Sequence, residues 1–208
     1  MRLSLVVLTR SADFYTTKRL VASGQSRGLH VETFNSGASI EEATGFLARA
    51  KEADTPFHMV YPRIGSRETS AELQLLEHME ACGLFSPQSA EALNAAMNKA
   101  QTHACLQAAG VPTLPYRCVE HPEEALACAK AVSAGPWVVK AREGSQGRDI
   151  FAAHDARTLD VAVRQVLARN ASALIQPFVE MAQPRDHRVL VIGGAARAAC
   201  TRVAAAGD

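Results

Sequence analysis

A dominant charge of one sign is missing from this chain. Lys and Arg number 22 against 21 Asp and Glu, a net +1, and no basic stripe gathers along it. Nucleic acid is therefore not indicated as a partner, because phosphate backbones are held by concentrated positive charge. Long apolar runs are missing too. The first, "LSLVVL" at residues 3–8, ends at Thr9-Arg10. A membrane span needs roughly 20 apolar residues, and no signal-peptide cleavage pattern follows the run. Both absences point to the cytoplasm. The five cysteines (Cys82, Cys105, Cys118, Cys128, Cys200) form no C-x-x-C pair. Most fall among alanines and leucines on expected helices, so reduced, buried thiols are expected rather than disulfides. His78 and Cys82 can share a helix face, but with no second pair beside them a metal site is not indicated. Internal repeats and low-complexity segments are absent as well.

What is present is enough for a core. With 208 residues, 48% hydrophobic and 21% charged, the chain can make one large domain or two small ones. Its first third alternates. "LSLVVL", "LHVETF" and "FHMVY" read as strands. Residues 16–27, with Leu20 and Val21 inward, and 40–51 read as helices. "SAELQLLEHMEAC", ending at Cys82, reads as an amphipathic helix with Leu73, Leu76 and Met79 on one face. Strands separated by helices imply a parallel sheet, whose ligands collect at the carboxyl ends of its strands. Those ends carry Thr9-Arg10 and "YPRIGSRET", residues 61–69. The pattern changes after Ser86-Pro87. A helix from about Ala96 stops at Gly110 and Pro112, and another covers 121–132. "GPWVVKAR", "RDIFAAH", "SALIQPFV" and "DHRVLVIGGAARAACTRV" are strand-like, with one helix at 158–169 and a hairpin turn at Gly193-Gly194. The expected architecture is α/β: a parallel-sheet domain over 1–86, then an α+β part over 87–208. The latter divides into a helical linker (87–112), a lid-like portion (about 113–180) and the start of a further subdomain (181–208).

The chemistry concentrates in "VVKAREGSQGRDI", residues 138–150. The loop Glu143-Gly144-Ser145-Gln146-Gly147 is neither a P-loop nor G-x-G-x-x-G, and it lies between strands. Its glycines allow successive N–H groups to face one anion, and Ser145 and Gln146 add donors of small bulk. Lys140 places a point charge beside it. A polyphosphate suits the set; a surface hairpin with a solvated lysine suits it equally. Lys99 opens a helix and can reach the same phosphates, or be an exposed helix lysine. The backbone of "ALIQPFVE", residues 173–180, can hydrogen-bond a purine. Asp186 can accept from a ribose hydroxyl, or pair with Arg185 or Arg188.

Taken in order, these pieces resemble the ATP-grasp superfamily, and within it the RimK-type α-L-glutamate ligases. "PRIG", "NKAQTHACLQAAGVPTLP", "WVVKAREGSQG" and "IQPFVEMAQPRDHRVLVIGG" carry the resemblance across nearly the whole chain. It implies a pre-ATP-grasp α/β domain followed by an incomplete α+β ATP-grasp domain. It also implies ligation of a carboxylate to an amine through an acyl phosphate. Lys99 and Lys140 would hold phosphates, with Glu143–Gly147 as their cover. Gln176, Pro177, Phe178 and Val179 would form the adenine segment, the backbone of Phe178 and Val179 supplying its hydrogen bonds. Asp186 would take the ribose. Arg63 would bind a substrate carboxylate, and Arg188 and Arg202 phosphate or acyl phosphate.

The implied cofactors are ATP with magnesium or manganese. The implied partners are glutamate or a similar amino acid and a protein or peptide acceptor, with a homo-oligomer as a further expectation. Three departures stand out. Pro177 replaces the usual glutamate, and Asp149 puts a negative charge near the phosphates unless Arg148 or Lys140 offsets it. The chain also stops at "TRVAAAGD", before the family's metal ligands, which implies a fragment without turnover. The alternatives are a non-catalytic nucleotide- or partner-binding module, or a ligase acting on a carrier protein or small cofactor.

Overall fold

A computed structural model of the chain describes residues 3–64, 70–144, 149–180 and 185–203. Three parallel strands open it: β1 (Ser4–Thr9), β2 (His30–Asn35) and β3 (Met59–Pro62), in the order β2-β1-β3. The helices α1 (Tyr15–Gln25), α2 (Ile40–Glu52) and α3 (Ser70–Ala81) alternate with and follow them. β1 is central and almost fully buried, which is why it reads as a continuous apolar run. Val6, Leu8, Leu47, Phe57, Val60, Leu75, Leu76 and Met79 form the core. α2 begins in a complete capping box, Ser39 with Glu42.

Two helix faces differ from expectation. On α1, Thr17 and Gly24 are the buried positions, and Leu20 and Val21 between them are half-buried. The helix lies so close to β2 that a Cβ on Gly24 would stand 2.6 Å from Val31 Cγ2. On α3, Leu75, Leu76 and Met79 are buried with Glu72, and Leu73 sits at the edge. Apolar spacing alone favoured Leu73 because it ignores a buried carboxylate.

The helix expected from about Ala96 is α5 (Lys99–Ala108), and an unexpected short helix, α4 (Ala90–Met97), precedes it. Asn98 separates them. Its backbone is extended (φ −105°, ψ 110°), and its side-chain oxygen accepts from the N–H groups of Ala100 and Gln101, capping α5. A four-stranded antiparallel sheet follows: β4 (Arg117–Val119), β5 (Trp137–Ala141), β6 (Ile150–Ala153) and β7 (Ala173–Pro177), ordered β4-β7-β5-β6. Between them lie a 3-10 turn (Pro122–Glu124), α6 (Ala125–Val132) and α7 (Ala156–Leu167). α7 starts two residues before the expected 158, because Asp155 and Thr158 form its capping box. Val119, Trp137, Val139, Ile175, Leu159, Val163 and Val166 make the second core on one sheet face. Strand alternation sends Val138 and Lys140 to the other face.

β8 (Arg185–Ile192) and β9 (Ala195–Val203) pair as a separate hairpin turning at Gly193-Gly194. Its apolar residues Val189 to Ile192 are 55–58% exposed. No cysteine is fully buried, contrary to expectation: Cys82, Cys105 and Cys200 are exposed, and Cys118 and Cys128 are intermediate. All five are free thiols. Cys82 does share a face with His78 (Sγ to Nε2 3.6 Å), but that same imidazole nitrogen also meets Thr44 Oγ1 at 2.9 Å. Among the described residues no helix is long and apolar enough to cross a membrane.

Candidate active site

Lys140 and Lys99 come together because α5 is stapled to the end of β5. The Lys99 backbone N–H donates to Arg142 O at 2.9 Å. Asn98 Nδ2 donates to Glu143 Oε1 at 3.1 Å, and the two residues form a β-bridge. Asn98 thus caps a helix and ties it to the loop with a single side chain. The Lys99 ammonium then donates to Gly144 O at 3.1 Å. Gly144 has φ 116°, a backbone state that side chains with a Cβ resist.

Both lysines are half-buried. Burial pushes the Lys140 ammonium below the ordinary lysine range, and the neighbouring charge of Lys99 pushes it further. Lys99 is lowered by burial, partly offset by Glu143. Two ammonium groups held near each other, each losing water, make a positive site that an anion relieves. Glu143 itself is engaged by Asn98 and stands 3.7 Å from Arg142, so it serves the joint. Ser145, Gln146 and Gly147 lie outside the described residues, as does Arg148.

Register places Leu174 and Gln176 of β7 beside Lys140 and Val138. Gln176 is only 2% exposed and its amide meets His103 of α5 at 2.8 Å. Pro177 closes the strand opposite Trp137. Phe178 and Val179 follow it as exposed apolar residues, with the Phe178 ring 6.2 Å from that of His154. The Phe178 N–H donates to Pro136 O at 2.9 Å. That one N–H is committed within the protein.

Whether Arg148 offsets Asp149 lies outside the described residues, and among those described Asp149 is met from α7. Arg169 Nη1 reaches it at 3.1 Å and Asn170 Nδ2 at 3.4 Å, both from the end of α7. Asp186, Arg188 and Arg202 meet on the β8–β9 hairpin. Arg202 binds Asp186 through Nε (2.9 Å) and Nη2 (2.9 Å), and Arg188 Nε adds 3.1 Å. The two guanidinium groups hold the carboxyl down at about 2. On the exposed hairpin these three residues form one ion cluster, the strand-edge charge pairing that was the alternative to a ribose contact.

Arg63 leaves the carboxyl end of β3. Its N–H donates to Leu8 O at 2.7 Å and its Nη2 to Thr16 Oγ1 at 2.9 Å. It is exposed, at the same sheet end as Arg10 and Ser36. There the sequence reading missed Glu72. Only 2% exposed, it accepts from Arg10 Nε (2.9 Å) and Ser36 Oγ (2.7 Å), while Oε2 is buried with no hydrogen-bond partner among the described residues. Its one sequence signal is a carboxylate three residues before a buried Leu75-Leu76 pair.

Residues 3–93 match the RimK PreATP-grasp domain, and residues 96–208 match the RimK-like ATP-grasp domain. The chain belongs to the RimK-like ATP-grasp family. This is a family of ATP-grasp carboxylate–amine ligases. The chain is 28% identical over 209 residues to a probable alpha-L-glutamate ligase of Xanthomonas oryzae pv. oryzae, covering 99% of itself and 71% of that protein. Solved structures show the same fold. D-cycloserine synthetase superposes with a TM-score of 0.65 at 20% identity, over 94% of this chain and 66% of that one. A RimK domain ATP-grasp protein of Sphaerobacter thermophilus superposes with a TM-score of 0.68 at 15% identity, over 94% and 71%.

Proposed function

We propose that this RimK-like chain binds ATP on Lys99 and Lys140 and joins glutamate, or a similar amino acid, to the carboxylate of a cytoplasmic protein or peptide. The observation that carries the reading is the pair of half-buried lysines with depressed proton affinity, one of them bonded to the Gly144 carbonyl. A structural lysine pair would have carboxylate partners to neutralise both members. Here Glu143 offsets Lys99, while the influences on Lys140 are burial and a second cation. An arriving polyphosphate gains from both charges in a partly dry setting, where each is worth more than on the open surface.

Phe178 and Val179 offer apolar contact to a purine ring beside that site. Arg63 suits a substrate carboxylate, since a guanidinium binds one through two parallel hydrogen bonds. Bound ATP supplies the phosphoryl group that turns a carboxylate into an electrophile. The task of the protein is to hold the partners in place and balance charge. Magnesium or manganese normally shares that balance. Among the described residues no group of three or more His, Cys, Asp or Glu is placed to hold an ion, so no step is assigned to a metal here.

The test is ATP binding by the purified chain, followed by ADP release with glutamate and a peptide acceptor. Lys140→Ala should weaken ATP binding by about tenfold or more, the loss expected of a charge-assisted contact worth ~1.5–3 kcal/mol. Lys130→Ala, on α6, should leave it unchanged. Equal effects of the two substitutions would refute the clamp.

A further inference from the structure

His103 lies on α5 one turn beyond Lys99, and the proposed clamp makes no use of it. Gln176 Nε2 stands 2.8 Å from His103 Nε2. An amide nitrogen does not accept, so its N–H donates, and the neutral imidazole carries its own proton on Nδ1. That Nδ1 is buried without a hydrogen-bond partner among the described residues. The ring stacks on Tyr116, centroids 4.9 Å apart at 28°, and the Tyr116 hydroxyl donates to Ala100 O at 3.2 Å.

The charged and titratable groups around the ring come from each element packed on it. β5 presents Lys140, and α5 itself carries Lys99, with Glu143 beyond that lysine. β7 presents the neutral Gln176, and the segment before β4 the Tyr116 phenol. Burial, and after it the Lys140 ammonium, hold the imidazole below its ordinary range.

We infer that His103 is a positioning residue linking the lysine pair to the strand that leads into the adenine segment, and that it takes up a proton when a polyphosphate covers Lys140. The inference rests on the phosphate role of that lysine. Its steps balance simply. The anion cancels the repulsion from Lys140 and adds attraction of its own. A proton from solvent then enters at Nε2. It meets the Gln176 amide N–H, so the amide turns and its Oε1 accepts instead. Gln176 directly precedes Pro177 and Phe178, so the turn is felt where a base would lie.

The sign follows from linkage. The bound state has the higher imidazole pKa, so the added affinity is complete below the free-state value. It is lost as pH rises through the bound-state value.

Two measurements test this. In the first, histidine C2–H resonances of the full chain are titrated with and without inorganic tripolyphosphate. The His103 midpoint should move up, and an unchanged midpoint overturns the inference. In the second, ATP affinity is compared at about pH 6 and about pH 8 for wild type and His103→Asn. The asparagine can still accept from Gln176 but does not titrate. Nucleotide ionisation is common to both proteins and drops out of the comparison. Wild type should gain about threefold to tenfold over the variant at the lower pH, corresponding to a coupled shift of up to roughly one pKa unit. Equal pH dependence in the two proteins overturns the inference. If that result accompanies lost binding in Lys140→Ala, the clamp stands and only the His103 role falls. If Lys140→Ala binds ATP as wild type does, the clamp reading falls with it.

Discussion

Asp186 shows how one side chain's chemistry is decided by its neighbours. A carboxylate at a strand start beside bases is compatible with binding a ribose. In the structure its cross-strand partner is Arg202, and Arg188 lies two residues along the same strand face. Both guanidinium groups bind it, so its proton affinity falls and its oxygens are occupied. The folded-state pKa is depressed, so the pairing is complete above the ordinary carboxylate value. It is lost as pH falls through about 2. A carboxyl carbon titration should therefore place Asp186 near that value. Arg202→Gln, which removes the larger cause, should return it toward the ordinary range, about 3.9. An unchanged midpoint in the variant would mean that the ion cluster does not persist in solution. Glu72 carries the complementary lesson. It is invisible to charge counting, yet it anchors Arg10 and Ser36 at the carboxyl ends of two strands.

At the scale of elements, the break between α4 and α5 determines whether a site forms at all. A continuous helix would carry Lys99 past the end of β5 without a bridge to it. Asn98 ends one helix, caps the next and donates to Glu143. Asn98→Ala should cost about 1 kcal/mol of stability for the lost cap, measured by urea unfolding. It should also weaken ATP binding, because Lys99 is no longer held against Gly144. Asn98→Asp is the informative partner. It keeps a capping oxygen but loses the donor to Glu143 and adds a repelling charge. Stability near that of wild type with weakened nucleotide binding is the expected result. Full retention of binding in both variants would show that the bridge does not position the lysine.

Over the whole molecule, burial is uneven. Two cores are well formed, one under the parallel sheet and one between the antiparallel sheet and α6 with α7. The β8–β9 hairpin shares neither, and its Val189, Leu190, Val191 and Ile192 remain largely exposed. An isolated two-stranded hairpin is marginally stable in water. Hydrogen exchange should follow this division. Amides of β1, β5 and β7 should exchange only on global unfolding, while those of residues 185–203 exchange many-fold faster by local opening. Equal protection in the hairpin and in β5 would mean that another surface, such as a second copy of the chain, covers it in solution.

Period and punctuation in the sequence determined most of the elements. Alternating strands and helices identified the parallel sheet, Gly193-Gly194 marked the hairpin turn, and Lys99 was correctly expected at a helix start. Those features are local, set by side-chain spacing and backbone preference over a few residues. The tertiary structure alone decided the rest. It put Glu72 inside, tied the start of α5 to Glu143 through Asn98, and gave the Phe178 N–H to Pro136. It also directed Asp149 to Arg169 and brought His103 between Gln176 and Lys140. Each of these depends on a partner many positions away along the chain. Burial and hydrogen bonding across such separations are fixed only when the sheets and helices pack, which no spacing rule within one segment can express.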